Sequence, residues 1–301
     1  MKRFLVSLLF LVVGLFVVDR LGGVILFELS QHTKSQMYRK MKRINDGLSE
    51  DVVILGTSRA NHHYVSSILA DSLGKSVYNA GSTGSKNIYS QYLVLNQILE
   101  KHTPQLIVLE LSTADYEVDD NAFSALSIFA PYFGKIDEVN NIYREAGSYY
   151  LYKFSHLYRY NNSVIALWGG LLHSLGEKGE DNGYVPLLRN VAMNGEIEMD
   201  SIQAGSDSLK LKYLEKFINK CEENNIQLIF AVSPKYKYSD EGLYFPLEEV
   251  AKHFDIPYFN YATKGLFLDS PHYFKDKTHL CDEGARVYTS IFVEDLKKIL
   301  N

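Results

Sequence analysis

The most strongly apolar part of the chain is its N-terminus. Residues 4–18 are almost wholly apolar, and after Asp19 and Arg20 the apolar character continues to Phe27. A membrane-spanning helix needs about 20 residues, so the first run alone is short, whereas the whole stretch is long enough. No small-residue cleavage pattern follows the run. We therefore expect an uncleaved transmembrane anchor over residues 1–28 rather than a secretory signal peptide.

The charges that flank this anchor leave its orientation open. Lys2 and Arg3 favour a cytoplasmic N-terminus. The linker over residues 29–48, however, carries five basic residues from Lys34 to Arg43 with no acidic residue among them, and on charge count this side also fits the cytoplasm. The linker is either a solvated juxtamembrane helix or a patch that contacts the lipid surface.

Beyond the linker, short apolar runs alternate with amphipathic stretches. Such an alternation predicts an α/β domain whose parallel sheet is covered by helices on both faces. Buried strands are predicted at residues 52–55, 76–78, 106–111, 228–232 and 257–259, and a closing helix at about 282–299. The expected fold of residues 49–301 is a three-layer α/β sandwich with a parallel sheet of about five strands.

A long segment, residues 115–204, interrupts this alternation. It is rich in tyrosine, contains the only tryptophan of the chain, Trp168, and shows helical patterns such as 136–144 and 149–160. Because structureless loops of that length are rare in compact domains, we predict a helical cap inserted into the α/β domain. The tyrosines suit helical packing, with a sugar-stacking wall as the alternative.

Composition narrows the class of protein. Hydrophobic residues make up 46% of the chain and charged residues 22%, as in ordinary globular proteins, and the net charge of -5 gives no support for a nucleic-acid partner. Cys221 and Cys281 form neither a disulfide framework nor a zinc pattern, and Cys221 is expected to be buried. The adjacent His62 and His63 lack further ligands at metal-binding spacing and are expected on the surface or lining a crevice. No metal and no cofactor is expected.

The first stretch that could carry chemistry is Gly56-Thr57-Ser58-Arg59-Ala60, directly after the first strand. Ser58 is expected at the carboxyl edge of the sheet, where its hydroxyl faces the crevice and its N–H belongs to a helix N-terminus. Such a position favours stabilisation of an oxyanion. The alternative is a simple helix N-cap, for which serine is also favoured. Arg59 is either a contact for an anionic substrate or the partner of an acid.

Two further stretches could complete the chemistry. A Gly/Ser/Thr-rich loop from Asn79 to Ser85 follows the second strand, and its Gly81 lets a backbone N–H approach a substrate, although such loops are also common turns. Asp276-Lys277-Thr278-His279 precedes the last helix. A histidine titrates near neutral pH and can deprotonate a serine, and an aspartate three residues earlier can orient it. A purely structural histidine–aspartate pair is the alternative.

Together these stretches resemble the SGNH (GDSL-like) hydrolase family, in which a serine block follows strand one, a glycine block follows strand two and Asp-x-x-His precedes the last helix. The resemblance covers the chain from about residue 51 to its end, apart from the insertion. It implies the flavodoxin-like SGNH hydrolase fold. It further implies Ser58 as nucleophile, His279 as base, Asp276 as its orienter, and the N–H groups of Ser58 and Gly81 as oxyanion donors.

One position departs from the family pattern. The family places Gly-x-Asn-Asp after strand three, and the Asn side chain is an oxyanion donor; this chain has Ala114 at that position. Loss of one such donor costs roughly 10²–10³ in turnover in other enzymes. Thr113, Asn79 and Asn87 are the candidates to replace it. The residues expected to line the substrate site are Arg59, Asn61 and Thr113.

The Gly-Thr-Ser-Arg-Ala stretch also resembles membrane-anchored family members that modify cell-surface polymers, such as alginate acetylation proteins and the teichoic-acid D-alanylation protein. This resemblance implies an esterase or O-acyltransferase that cleaves or moves a small acyl group, acetyl by preference, on a cell-envelope carbohydrate. It implies a single-pass protein of the cytoplasmic (inner) membrane with an extracytoplasmic catalytic domain. For transfer, it implies a multi-pass membrane acyl donor protein as partner. The alternative is a catalytically weak SGNH-fold protein that binds a glycan or a membrane partner.

Overall fold

A computed structural model of the protein describes residues 1–83, 87–161, 163–172, 181–188, 197–200 and 205–300. The α-helices are α1 (Lys2–His32), α2 (Gln36–Asp46), α3 (Ser58–His63), α4 (Ser66–Leu73), α5 (Ile88–Leu99), α6 (Asp137–Glu145), α7 (Tyr149–Phe154), α8 (Val164–Leu172), α9 (Ser208–Glu223), α10 (Phe245–His253) and α11 (Asp282–Leu300). The strands are β1 (Val52–Leu55), β2 (Val77–Asn79), β3 (Leu106–Glu110), β4 (Met199–Asp200), β5 (Gln227–Val232), β6 (Tyr238–Ser239) and β7 (Tyr258–Asn260).

The chain divides into two compact units. One contains residues 1–42 and 126–176, and so joins α1 to the helices α6, α7 and α8 of the predicted insertion. The other contains residues 43–125 and 177–301 and holds the strands. The predicted linker, residues 29–48, is largely helical, because α1 continues to His32 and α2 spans Gln36–Asp46. Of the predicted insertion, residues 115–204, only residues 126–176 belong to the unit that contains α1.

The central sheet has the strand order β2-β1-β3-β5-β7, and every neighbouring pair is parallel. Counted within the sheet, this order is 2-1-3-4-5, the doubly wound arrangement of flavodoxin-like folds. All five predicted strands are confirmed, with bounds that move by at most one residue. In such a sheet, ligands bind outside the carboxyl ends of the strands where the winding reverses, which here is between β1 and β3.

Helices cover the sheet on both faces, and β1 and β3 are therefore buried along their whole length. On one face, Ile54, Val108 and Ile229 pack with Tyr288 and Phe292 of α11 in a single apolar cluster. Alternate strand residues point to the opposite face, where α9 packs against α5 and β5. The predicted three-layer α/β architecture is confirmed.

In the other unit, α1 is long and apolar enough to cross a membrane, with an unburied 18-residue window of mean hydropathy 2.4. The two charged residues within this helix, Asp19 and Arg20, find their partners within the same unit. Asp19 pairs with Arg20 at 2.7 Å and accepts hydrogen bonds from Ser155 Oγ (2.5 Å) and from the N–H groups of His156 (2.9 Å) and Leu157 (3.1 Å). A carboxylate in an apolar stretch is costly unless it is paired, and these contacts account for its presence there.

Candidate active site

Ser58 lies at the carboxyl end of β1, where the strand turns into α3. The turn depends on Gly56, whose φ is +148° and where a Cβ would come within 2.7–2.9 Å of atoms of Ala60 and Glu110. The N-cap of α3 is Thr57, so Ser58 is the first residue of the helix. The interpretation of Ser58 as a simple N-cap is therefore wrong, and its hydroxyl is available for another contact.

The hydroxyl of Ser58 begins a chain of hydrogen bonds that runs through His279 to Asp276. His279 Nε2 lies 2.8 Å from Ser58 Oγ. His279 Nδ1 lies 2.9 Å and 3.0 Å from the two carboxylate oxygens of Asp276. The structure thus brings the three predicted catalytic residues together. Ser58 is in the position of the nucleophile, His279 in that of the base and Asp276 in that of the orienter, as in serine acyl-transfer enzymes.

The Asp276 carboxylate also shapes the turn that carries the histidine. Its Oδ1 accepts the N–H of Thr278 (2.8 Å), the hydroxyl of Thr278 (2.9 Å) and the N–H of His279 (2.9 Å). Partial burial by itself would raise the pKa of Asp276, but the hydrogen bonds from His279 and Thr278 hold the pKa well below its ordinary value. Asp276 is therefore ionised throughout the neutral range, and it can stabilise a positive charge on His279.

A buried histidine supports the same turn from below. The N–H of Leu280, the residue after His279, donates to His63 Nε2 at 2.9 Å, so the proton of neutral His63 is on Nδ1, 2.7 Å from Ser233 Oγ. Burial first, and then the nearby charge of Arg59, hold the pKa of His63 well below its ordinary value, which keeps the ring neutral as these bonds require. The expectation that His62 and His63 line the surface or a crevice is wrong, because both are buried.

The network continues to a buried ion pair. Ser233 donates its hydroxyl to Glu110 at 2.7 Å and its N–H at 3.1 Å. Glu110 pairs with Arg59 at 3.2 Å, and only 6% and 1% of the Arg59 and Glu110 side chains are exposed. Of the two interpretations of Arg59, partner of an acid is the one the structure bears out. Arg59 also lines the cavity described next, as predicted, while its guanidinium is directed to Glu110.

Two predicted oxyanion donors are engaged elsewhere. Asn79 Nδ2 donates to the carbonyl oxygens of Ala60 (2.7 Å) and Tyr64 (2.9 Å), and Asn79 Oδ1 accepts the N–H of Gly81 (3.0 Å). Gly81 is needed for packing, because a Cβ there would lie 2.5 Å from the backbone nitrogen of Asn61. These contacts correct the assignment of Asn79 and Gly81 as oxyanion donors. The N–H of Ser58, in the first turn of α3, has no intrahelical acceptor and keeps that expected role.

A cavity of about 350 Å³ opens beside the triad and is lined by Ser58, His279 and residues from the ends of three other segments. Thr113 lies in its wall, as predicted, together with Ala114. Asn61 does not line the cavity. It is fully buried and donates to Thr83 Oγ1 at 3.1 Å, so its prediction as a substrate contact is wrong.

Three further charged residues line the cavity. Lys235 and Lys237 follow β5, and both form ion pairs with Asp200. Lys237 Nζ lies 2.9 Å from Asp200 Oδ1. Lys235 could have been found from its place just after the carboxyl end of a central strand. Asp200 could not, since it comes from the predicted insertion and no motif marks it. These three groups carry a net charge of +1, and a second carboxylate, Glu198, lies 4.0 Å from Lys237.

Among the residues that the structure describes, no group of three His, Cys, Asp or Glu side chains is placed to hold a metal ion. Cys221 and Cys281 are both buried free thiols, as expected for Cys221. Burial raises the pKa of Cys221 to about 12, so this thiol is not a nucleophile at neutral pH.

No protein-family model and no curated protein matches the chain. Among solved structures, it is similar to "a putative acylhydrolase" from Bacteroides fragilis, with 15% identity, a TM-score of 0.44 and coverage of 85% of this chain and 94% of the other. It is also similar to a GDSL-like lipase from Bacteroides thetaiotaomicron, with 14% identity, a TM-score of 0.45 and coverage of 88% and 99%. Both similarities are too remote to assign chemistry, so function must be inferred from the residues of this chain.

Proposed function

We propose that this protein is a serine-dependent acyl-ester hydrolase or O-acyltransferase that works through an acyl-Ser58 intermediate. The observation that carries the proposal is the unbroken chain of hydrogen bonds from Ser58 through His279 to Asp276 at the edge of a cavity. A serine hydroxyl is a weak nucleophile unless an adjacent base removes its proton, and this arrangement supplies that base together with a group that orients it.

The reaction has two halves. In the first, Ser58 Oγ attacks the ester carbonyl while its proton passes to His279 Nε2, and His279 then returns that proton to the departing alcohol. Asp276 holds the Nδ1 proton and stabilises the imidazolium meanwhile. In the second half, His279 deprotonates water or an acceptor hydroxyl, which attacks the acyl-Ser58 carbonyl and releases the serine with its proton restored. Water completes hydrolysis, and a sugar hydroxyl completes transfer.

For the substrate, we propose a small acyl group, acetyl by preference, on a cell-envelope carbohydrate. The support is the resemblance of the serine stretch to anchored polymer-modifying proteins and the apolar helix α1. The same support leads us to propose a single-pass protein of the cytoplasmic membrane with an extracytoplasmic catalytic unit. If the reaction is transfer, a multi-pass membrane acyl donor protein is the proposed partner.

A second candidate function is binding of a glycan without efficient turnover. It is favoured by Ala114 at the position of the family's Asn donor, and by Asn79 and Gly81, whose donors are engaged within the protein. A site with few oxyanion donors loses transition-state stabilisation but keeps its shape and its capacity to bind. The intact triad argues against this candidate, because binding alone does not need it.

The full-length chain in detergent, treated with a fluorophosphonate probe and assayed for release of p-nitrophenol from p-nitrophenyl acetate, tests the proposal. We expect labelling and turnover in the wild type and in Ser290→Ala, a control serine exposed on α11, and neither in Ser58→Ala. His279→Ala should lose at least about 10³-fold in turnover. A folded wild type that neither labels nor turns over would favour the binding function.

A further inference from the structure

A second cavity lies within the unit that contains α1. Its volume is about 300 Å³, and one wall is formed by Gly23, Val24 and Phe27 of α1. The opposite wall comes from the chain that follows residue 126, including Lys135 and Arg159. A volume of about 300 Å³ lies at the lower end of the range for small-ligand sites.

The walls of this cavity are built by close packing. A Cβ at Gly23 would lie 2.3 Å from His156 Cβ, so the glycine is what lets this segment approach the helix. The guanidinium of Arg159 is held by two carbonyl oxygens, with Nε donating to Tyr152 at 2.9 Å and Nη1 donating to Phe133 at 3.1 Å. These bonds fix the position of the charge without neutralising it.

The cavity carries an excess of positive charge. Lys135 Nζ lies 3.2 Å from the centre of the Phe27 ring, and neither Lys135 nor Arg159 forms an ion pair within the described residues. Glu28 is the lining carboxylate, and it offsets one of the two cations. Partial burial lowers the pKa of Lys135, Glu28 opposes this shift and Arg159 adds to it. Burial and then Arg159 also lower the pKa of His156, as expected where cations are crowded.

The position of the cavity along α1 indicates that its ligand comes from the membrane surface. The apolar stretch of α1 continues past Asp19 and Arg20 to Phe27, so Gly23, Val24 and Phe27 lie at its carboxyl end. Near that end, Tyr150 and Phe154 of α7 are 67% and 69% exposed, and Arg20 donates to the carbonyl oxygen of Phe154. Exposed aromatic rings at the end of an apolar helix are typical of the bilayer interface, the depth of lipid headgroups.

We propose that this cavity binds the phosphate-bearing headgroup of an anionic phospholipid, with Lys135 and Arg159 around the phosphate and the apolar part of the lipid along Val24 and Phe27. Arginine and lysine are the usual phosphate partners, and basic pockets beside membrane helices hold such headgroups. The proposal requires that α1 lies in a membrane, and it does not depend on the chemistry at Ser58.

The test is native mass spectrometry of the full-length chain, in detergent, with equal amounts of phosphatidylglycerol and phosphatidylcholine. We expect the wild type to retain phosphatidylglycerol selectively. Lys135→Gln should lower this retention about five-fold, as expected for one basic residue near a membrane surface, and Glu28→Gln should raise it. The matched control is Lys153→Gln, which removes an exposed lysine of α7 that does not line the cavity.

Equal retention of both lipids by the wild type would overturn the proposal, and so would equal losses in Lys135→Gln and Lys153→Gln. A separate arm distinguishes a lipid from free phosphate. Glycerol 3-phosphate should displace the bound lipid only at concentrations far above that of the lipid. Displacement at comparable concentrations would show that the cavity takes a soluble phosphate compound and would refute the lipid assignment.

Discussion

Replacement of Asp276 by Asn tests the proposed chemistry sharply, because it preserves the size of the side chain and removes its charge. In the wild type, the carboxylate contacts His279 Nδ1 at 2.9 Å and 3.0 Å and also accepts the N–H groups of Thr278 and His279. Asn keeps one oxygen for those N–H groups and turns its amide towards Nδ1. The ring proton must then move to Nε2, where it prevents His279 from accepting the proton of Ser58.

The size of the effect follows from charge and tautomer together. An opposite charge about 4 Å from the imidazolium contributes about 4 kcal/mol at an effective dielectric constant of about 20. Solvent screening reduces this value, since 53% of the Asp276 side chain is exposed. The wrong tautomer adds to the loss, and the equivalent change in serine proteases costs about 10⁴ in kcat. We expect Asp276→Asn to lower kcat by about 10²–10⁴ with little change in KM, because binding of the ester is left intact.

The assay is steady-state release of p-nitrophenol from p-nitrophenyl acetate by the full-length chain. Thermal unfolding of each variant shows that the fold is retained. Asp269→Asn, which removes an exposed carboxylate outside the triad, is the matched control and should keep wild-type activity. A value of kcat for Asp276→Asn within ten-fold of the wild type would refute the role of Asp276 as the orienter of His279.

Three further changes probe the surroundings of the triad. Ser233→Ala leaves the buried Nδ1–H of His63 without its acceptor and should lower the free energy of unfolding by about 1–3 kcal/mol, measured by urea denaturation, and lower kcat more than it changes KM. Burial raises the pKa of Asp115 to about 6, so this residue should contribute a loss of stability as pH rises from about 4 to 6, and Asp115→Asn should remove that contribution in denaturation curves across this range. Gly81→Ala places a Cβ 2.5 Å from the backbone nitrogen of Asn61 and should lower the melting temperature, with a cost of about 1–3 kcal/mol.

The strands of the sheet could be predicted because their burial produces a simple pattern in the sequence. Parallel strands covered on both faces read as uninterrupted apolar runs, as residues 52–55 and 106–109 do. The extent of the N-terminal unit gave no such signal. That α1 associates with residues 126–176 depends on contacts such as those of Asp19 with Ser155, more than a hundred residues away along the chain.

The triad could also be predicted, because each member lies beside a recognisable boundary: Ser58 after a strand, and Asp276 and His279 before the last helix. The surrounding contacts could not be predicted in the same way. A pattern of residue types does not show whether the donors of Asn79 face a substrate or the carbonyl of Ala60. That depends on how closely two backbones approach, which only the folded chain determines.

The distribution of oxyanion donors bears on the choice between hydrolysis and transfer. With Ala114 at the position of the family's Asn, and with Asn79 and Gly81 engaged internally, the N–H of Ser58 and the hydroxyl of Thr113 are the expected donors that remain. Each missing donor costs roughly 10²–10³ in turnover. Such a site should cleave simple esters slowly, because water and a small ester bring no binding energy to offset the loss. An acceptor that fills the cavity beside Lys235 can contribute binding energy to the transition state that water lacks. We therefore expect turnover to rise when a carbohydrate acceptor replaces water, and an acceptor-independent rate would favour hydrolysis.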